Sequence, residues 1–292
     1  MILVDFYQTA ISSAMPQILK SSEIDTRFIR HITINALRRY HKQFSSKYGE
    51  MVLCCDSKNN WRKDIFPQYK GNRRKTDSVT AGVSWSDLYS WLEQIKNELR
   101  QYFPMKVIFT PRAEGDDIIA VIAKEMGITE EVLIISSDKD FIQLQSNMNI
   151  HQWAPIKKKF IQEKSPTTFL REHIIGGDAS DGIPNIRSDD DSFVNENKRQ
   201  RQMTKKRREE HMADGNLAND PKFQRNRMLI DLDLIPRDIQ EAIRVEFHKE
   251  QIGSFKTAHM YCVQKKLNQI LEHLNDFKRG EKKLCKSLFQ RS

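Results

Sequence analysis

The sequence predicts an α/β protein: a mainly parallel central sheet with helices on both faces, followed by a smaller helical domain. Three observations lead there. Four short apolar runs without polar alternation lie in residues 1–136, the pattern of strands buried on both faces. Helical periodicities lie between them. After Ile175 the strand-like runs stop, and polar and helical stretches take over.

The first run is Ile2–Val4, which ends in Asp5. Residues 24–44 then set Ile24, Phe28, Ile32, Ala36 and Tyr40 on one stripe, at helical spacing. Met51–Cys55 is the second strand and ends in Asp56. Residues 86–103 carry Leu88, Leu92, Ile95, Leu99 and Phe103 on another stripe, with Ser84 and Asp87 spaced as a capping box. Lys106–Thr110 is the third strand. It leads through a short loop into AEGDD (113–117) and a helix over 114–126 with Ile118, Ile119, Ile122 and Met126. Val132–Ser136 is the fourth and runs into SSDKDF (136–141). Such alternation of strand and helix argues for a parallel sheet. The expected domains are 1–175 and 176–292.

The chain has 292 residues and a net charge of +9. Residues 1–175 hold 25 basic and 20 acidic side chains, and residues 176–292 hold 23 and 19, so the positive charge is spread and is not a tail. A basic protein of this kind expects an anionic partner, nucleic acid or a membrane surface. Apolar runs fall short of the roughly 18 residues of a membrane span. Met1 leads straight into Ile2–Asp5 without the features of an export signal, so a cytoplasmic protein is expected. Cys54, Cys55, Cys262 and Cys285 lack zinc-like spacing and are expected as reduced thiols, with Cys54 and Cys55 in the core.

The four strands share one further property: acids follow each of them. They are Asp5, Asp56, then Glu114, Asp116 and Asp117, then Asp138 and Asp140. In open parallel sheets, ligands bind beyond the carboxyl ends of the strands. One such acid is ordinary turn or cap chemistry. Several at one edge repel each other and raise one another's pKa unless cations lie between them. Oxygen ligands, with no His or Cys among the acids that follow the strands, suit Mg2+ or Mn2+ better than zinc. Acids with bound metal in a basic protein point to phosphate chemistry, which two-metal sites carry out with ions about 3.5–4 Å apart.

Asp5, Asp56, AEGDD, SSDKDF and GGDASDGIP (176–184), in that order, resemble the flap endonuclease / 5′-3′ exonuclease family over nearly the whole chain. NWRKD (60–64) and FQRNRMLIDLDLIP (223–236) bring the likeness nearest to its phage ribonuclease H members. The resemblance implies Asp5, Asp56, Glu114, Asp116 and Asp138 around a first Mg2+. It implies Asp140, Asp178 and Asp181 around a second, with Asp138 serving both and Mn2+ as a substitute. Asp117 matches an acid found in part of the family. QYKGNRRK (68–75) resembles the base of the family's helical arch. Lys70 would contact the scissile phosphate, Tyr69 would stack on a terminal base, and Arg62, Lys63, Arg73, Arg74 and Lys75 would guide the single-stranded 5′ end. Asp116, Asp138 and Lys70 are the expected catalytic residues. GGDASDGIP resembles the start of a helix-hairpin-helix, but Asn185–Asp191 replaces the glycine-rich hairpin that should follow. Asn195–Glu210 is almost wholly polar, an exposed helix or arm, either solvated or in contact with duplex phosphates.

The expected activity is hydrolysis of phosphodiester bonds in duplex DNA and RNA–DNA hybrids bearing 5′ ends or flaps, with removal of RNA primers in phage DNA replication. A monomer is expected, in the host cytoplasm if the gene is a phage's. Replication proteins, such as a single-stranded-DNA-binding protein, are further expected partners. The competing readings are a PIN-type ribonuclease and a catalytically inactive structure-specific DNA-binding protein. The paired acids Asp178 and Asp181 weigh against the first, and the full set of acids weighs against the second.

Overall fold

In a computed structural model of the chain, the described residues are 1–20, 24–73, 78–80 and 83–278. β1 (Ile2–Asp5), β2 (Met51–Cys55), β5 (Lys106–Phe109) and β6 (Val132–Ile135) are the four expected strands, the last two each one residue shorter. β7 (Ile150–Ala154) and β8 (Lys159–Ile161) extend the sheet beyond them. The strand order is β5-β2-β1-β6-β7-β8, parallel except for β8, which runs antiparallel to β7. β7 is not legible as a strand because His151 and Gln152 interrupt the apolar Ile150, Trp153 and Ala154. β8 is a short edge strand with two exposed residues.

Alternate side chains of the strands point to opposite faces. Ile2, Val4, Leu53, Cys55, Val107, Leu133 and Ile135 face one core, covered by α1 (Phe6–Ile18), α2 (Thr26–Tyr48) and α4 (Trp85–Tyr102). Leu3, Val52, Cys54, Ile108, Val132 and Ile134 face the other, covered by α5 (Gly115–Met126). Cys54, Cys55 and Cys262 are free thiols within these cores, while Cys285 lies outside the described residues. The helices over 26–48, 85–102 and 115–126 lie where the periodicity predicts them, and Ser84 and Asp87 form the capping box. The stripes of α4 and α5 are the buried ones, whereas α2 buries Ile29, Thr33, Leu37, His41 and Phe44 and leaves Phe28, Ile32 and Tyr40 half-buried beside them. α1 follows β1 without a loop. Asp5 makes that abrupt start possible, since its carboxylate accepts the Gln8 N–H at 3.2 Å.

Between β2 and α4 lie α3 (Arg62–Ile65), a run of turns, and a small ribbon of β3 (Ser78–Thr80) and β4 (Val83–Ser84). Among the described residues, no helix stands between Ile65 and Trp85 where an arch was expected. The second half adds α6 (Pro166–Gly176), α7 (Lys205–Ala213), α8 (Pro221–Ile230), α9 (Arg237–His248), α10 (Phe255–Gln264) and α11 (Asn268–Glu272). Ile239 and Ile243 of α9 join the α5 core, and Ala258, Tyr261 and Ile270 of α10 and α11 join the α2–α4 core. A third cluster packs Phe66 and Tyr69 against Ile174, Ile175, Ile183, Phe223 and Leu229. The polar stretch behaves as its composition suggests: α7 buries no residue. No helix among the described residues is long and apolar enough to cross a membrane.

Candidate active site

Parallel pairing of β1 with β2 and β6, and of β2 with β5, puts the carboxyl ends of all four strands at one edge. Asp5 and Asp56 stand at the ends of β1 and β2. Glu114 is the N-cap residue of α5, Asp116 lies in its first turn, and Asp138 and Asp140 open the 3-10 helix Lys139–Ser146 after β6. Gly115 lets the start of α5 close on β2. Its N–H donates to Asp56 Oδ1 at 2.6 Å, and a Cβ there would sit 3.3 Å from the Cys54 carbonyl oxygen.

The last acids arrive from the second half through a tight loop. Asp178 and Ile183 exchange backbone hydrogen bonds of 2.8 and 2.7 Å. Gly177 has φ +66°, and a side chain there would collide with the Ile183 and Pro184 carbonyls. Asp181 reaches the edge between Tyr69, Lys70 and Arg73.

The electrostatics of the edge are strained in one direction. Burial, then repulsion from Asp56 and Asp138, pushes Asp5 up to about 7. Burial also raises Asp56, Asp116, Asp138 and Asp140, and neighbouring carboxylates add to it. Asp138 and Asp5 act on Asp116, Asp181 and Asp178 on Asp138, and Asp138 and Asp178 on Asp140. Two acids differ. Burial works against Glu114, but Lys70 and Arg62 overcome it and hold the carboxyl low. Asp178 is likewise held well below the usual range, against burial, by His173, Ser180 and Lys139.

Two expectations about basic and aromatic residues are corrected. Arg62 does not guide nucleic acid: it is 4% exposed. Its guanidinium bonds to Glu114 Oε2 at 3.0 Å, to Asp117 Oδ1 at 2.7 Å and to the Leu229 carbonyl at 2.8 Å. Tyr69 has no ring face free for a base. It is 2% exposed, with its hydroxyl 2.8 Å from an oxygen of Glu114 and from one of Asp181. Both residues fold inward because α3 and the turn after it pack directly against AEGDD and α8. Asp117 is fully buried against Arg62 and the Trp61 indole N–H, so it anchors this packing.

Lys63, Lys70 and Arg73 line a groove of about 560 Å³ beside Asp56 and Glu114. Lys70 Nζ pairs with Glu114 and lies 3.7 Å from Asp181, and these two acids raise its pKa despite burial. Arg74 and Lys75 lie outside the described residues. Sequence reasoning missed Lys58, Tyr7 and Tyr89 in the groove, and Lys139 and His173 beside Asp178. A basic residue next to SSD and a histidine three positions before GGDASD were the available signals for the last two.

Comparison with known proteins bears on the family and the fold. The model for the 5′-3′ exonuclease N-terminal resolvase-like domain matches residues 2–172, and that for the T4 RNase H C-terminal domain matches residues 165–277. Ribonuclease H of Enterobacteria phage T4 is 27% identical over 290 residues, covering 94% of this chain and 95% of its own. A 5′-3′ exonuclease of Buchnera aphidicola is 33% identical over 155 residues, half of each chain. The bacteriophage T5 flap endonuclease, solved with DNA and metal ions, superimposes with a TM-score of 0.57 at 17% identity, over 84% of this chain and 97% of its own. A second T5 structure, co-crystallised with metal ions, gives 0.55 at 15% identity over 93% and 98%. At such identities these structures speak for the fold alone. With the exonuclease domain matched over residues 2–172, the chain belongs to the 5′-3′ exonuclease / flap endonuclease family of nucleases.

Proposed function

We propose that the chain is a divalent-cation-dependent 5′ nuclease. It hydrolyses phosphodiester bonds near the 5′ ends of flaps, duplex DNA and RNA–DNA hybrids, and removes RNA primers during phage DNA replication. The observation that carries this reading is the buried carboxyl edge, where Asp5, Asp116, Asp138 and Asp140 all have raised pKa values. Acids so arranged remain ionised together at neutral pH only with cations among them.

The donor set fits hard divalent cations. Every one of these acids offers oxygen, and Asp140 Oδ1 is buried without a hydrogen-bond partner. Asp5, Asp56, Glu114 and Asp116 would hold one Mg2+. Asp140 and Asp181, backed by Asp178, would hold another, with Asp138 between the two. Bound there, such cations supply activation of water and neutralisation of charge on the attacked phosphate. Mn2+ is expected to substitute.

The chain's own residues do the rest. Lys70 stays protonated beside Glu114 and Asp181, so a positive charge is preset at the edge where phosphate charge develops. Lys58, Lys63 and Arg73 line the groove leading to it and would hold the backbone of the entering strand. Arg62 and Tyr69 keep Glu114 in place from behind. A monomer in the host cytoplasm, docking a single-stranded-DNA-binding protein, completes the proposal.

Incubation with a 5′-labelled flap and a 5′-labelled RNA–DNA hybrid, with Mg2+ or with EDTA, tests it. Short 5′ products that need Mg2+ support the reading. Equal cleavage in EDTA, or none in Mg2+, overturns it.

A further inference from the structure

His173 stands apart from the acids around it. It lies on α6, on no strand end, and its side chain is 6% exposed. Its Nε2 is 3.1 Å from Asp178 Oδ2. Asp178 also accepts from Lys139 at 3.0 Å, from the Ser180 N–H at 2.8 Å and from the Ser180 hydroxyl. An acid engaged by so many donors is an acceptor, so Nε2 carries a proton, and in the neutral ring Nδ1 is then the nitrogen with the lone pair.

Another acceptor lies close to that nitrogen. Nδ1 is 3.4 Å from Asp140 Oδ1. Both atoms are buried, and neither has a hydrogen-bond partner among the described residues. With Asp140 ionised, these are two buried acceptors side by side without a donor, and they carry a full desolvation cost. One ligand atom each from Asp140, His173 and Asp178 lies within 4.8 Å of the others. A small cation between Nδ1 and Oδ1 satisfies both. The Nε2–H donated to Asp178 is the support that metal-bound histidines ordinarily receive, since a carboxylate on the far nitrogen fixes tautomer and ring orientation.

We propose that His173 Nδ1 is a direct ligand of the second cation, and that Asp178 orients His173 by accepting from its other nitrogen. An imidazole donor shifts a carboxylate site toward borderline ions, so this site takes Mn2+, Co2+ or Zn2+ in preference to Mg2+. The inference rests on the proposed cation site and specifies one of its ligands.

The test is made on the full chain loaded with Mn2+, without nucleic acid, by electron spin-echo envelope modulation. The expected result is imidazole ¹⁴N modulation in the wild type. It should be lost in His173→Gln and replaced by the ¹⁵N pattern in wild type labelled with ¹⁵N-histidine. In parallel, His173→Gln should weaken Mn2+ binding by about 10–100-fold while Mg2+ binding changes much less. If the variant does not fold, the labelled wild type still decides. Tight Mn2+ binding without nitrogen modulation overturns the histidine ligand and leaves the nuclease reading intact. Equal losses for Mn2+ and Mg2+ without nitrogen modulation make His173 a positioning residue only, which also overturns it. No Mn2+ binding by the wild type overturns the cation site itself.

Discussion

Replacing Arg62 separates two accounts of the NWRKD stretch. Arg62→Ala removes a guanidinium held by Glu114, by Asp117 and by the Leu229 carbonyl, with the Trp61 ring 4.5 Å from its centre. Asp117 is fully buried and, among the described residues, keeps the Trp61 N–H and the Glu114 N–H as donors. Removing one partner of such a buried pair costs about 3–5 kcal/mol, because an uncompensated charge stays behind. The same change frees Glu114 of one of the cations that hold its pKa low. Urea unfolding should therefore show a lower midpoint with an unchanged slope, at a cost near that magnitude. DNA affinity, measured well below the unfolding transition, should change little, and so should its salt dependence. A stability equal to wild type, with weaker binding and a salt slope lower by roughly one, would return Arg62 to the nucleic-acid surface and refute the packing argument.

Three further outcomes follow from the site. Lys70→Ala, assayed in single turnover at saturating enzyme, should slow cleavage by roughly 10²–10³-fold with near-normal affinity; an unchanged rate assigns Lys70 to steering, with Lys63 and Arg73. Asp138→Asn should abolish cleavage while duplex binding stays equal or tightens, and normal turnover at saturating Mg2+ would contradict its place between the two cations. The pH dependence has a definite sign. Asp5 titrates near 7 in the folded chain against an ordinary 3.8, and Asp116, Asp138 and Asp140 move the same way. Raised acids favour the fold below their ordinary pKa and cost stability as pH rises through the folded value, so the metal-free protein should lose stability from about pH 4 to 7. Divalent cations replace those protons, so the gain in melting temperature from Mg2+ should be larger at about pH 8 than at about pH 5.5.

The parts of this protein that were legible in the sequence are those with a local pattern. Doubly buried strands read as apolar runs, and acids after them read as one edge, because parallel pairing leaves no other place for strand ends. α4 and α5 showed their stripes, while α2 showed its helical period but buries the neighbouring face with Ile29, Leu37 and Phe44. The failures come from partners distant in sequence. Arg62 and Tyr69 look like surface residues in a basic stretch, and only Glu114, 52 and 45 positions away, makes burial acceptable for them. His173 sits on a helix whose pattern gives no hint of Asp140, and the Gly177 turn that returns Asp178 to it is a backbone property. α1 was hidden because Asp5 serves at once as a strand end, a site acid and a helix cap.

The central claim is that the carboxyl edge of the sheet binds two divalent cations. Crystals of the full chain soaked in Mn2+, with diffraction recorded near the manganese absorption edge, test it most directly. The account predicts two anomalous peaks, one among Asp5, Asp56 and Asp116 and one beside Asp140 and His173, with Asp138 between them. No peak at this edge, or manganese bound only elsewhere on the surface, would contradict it.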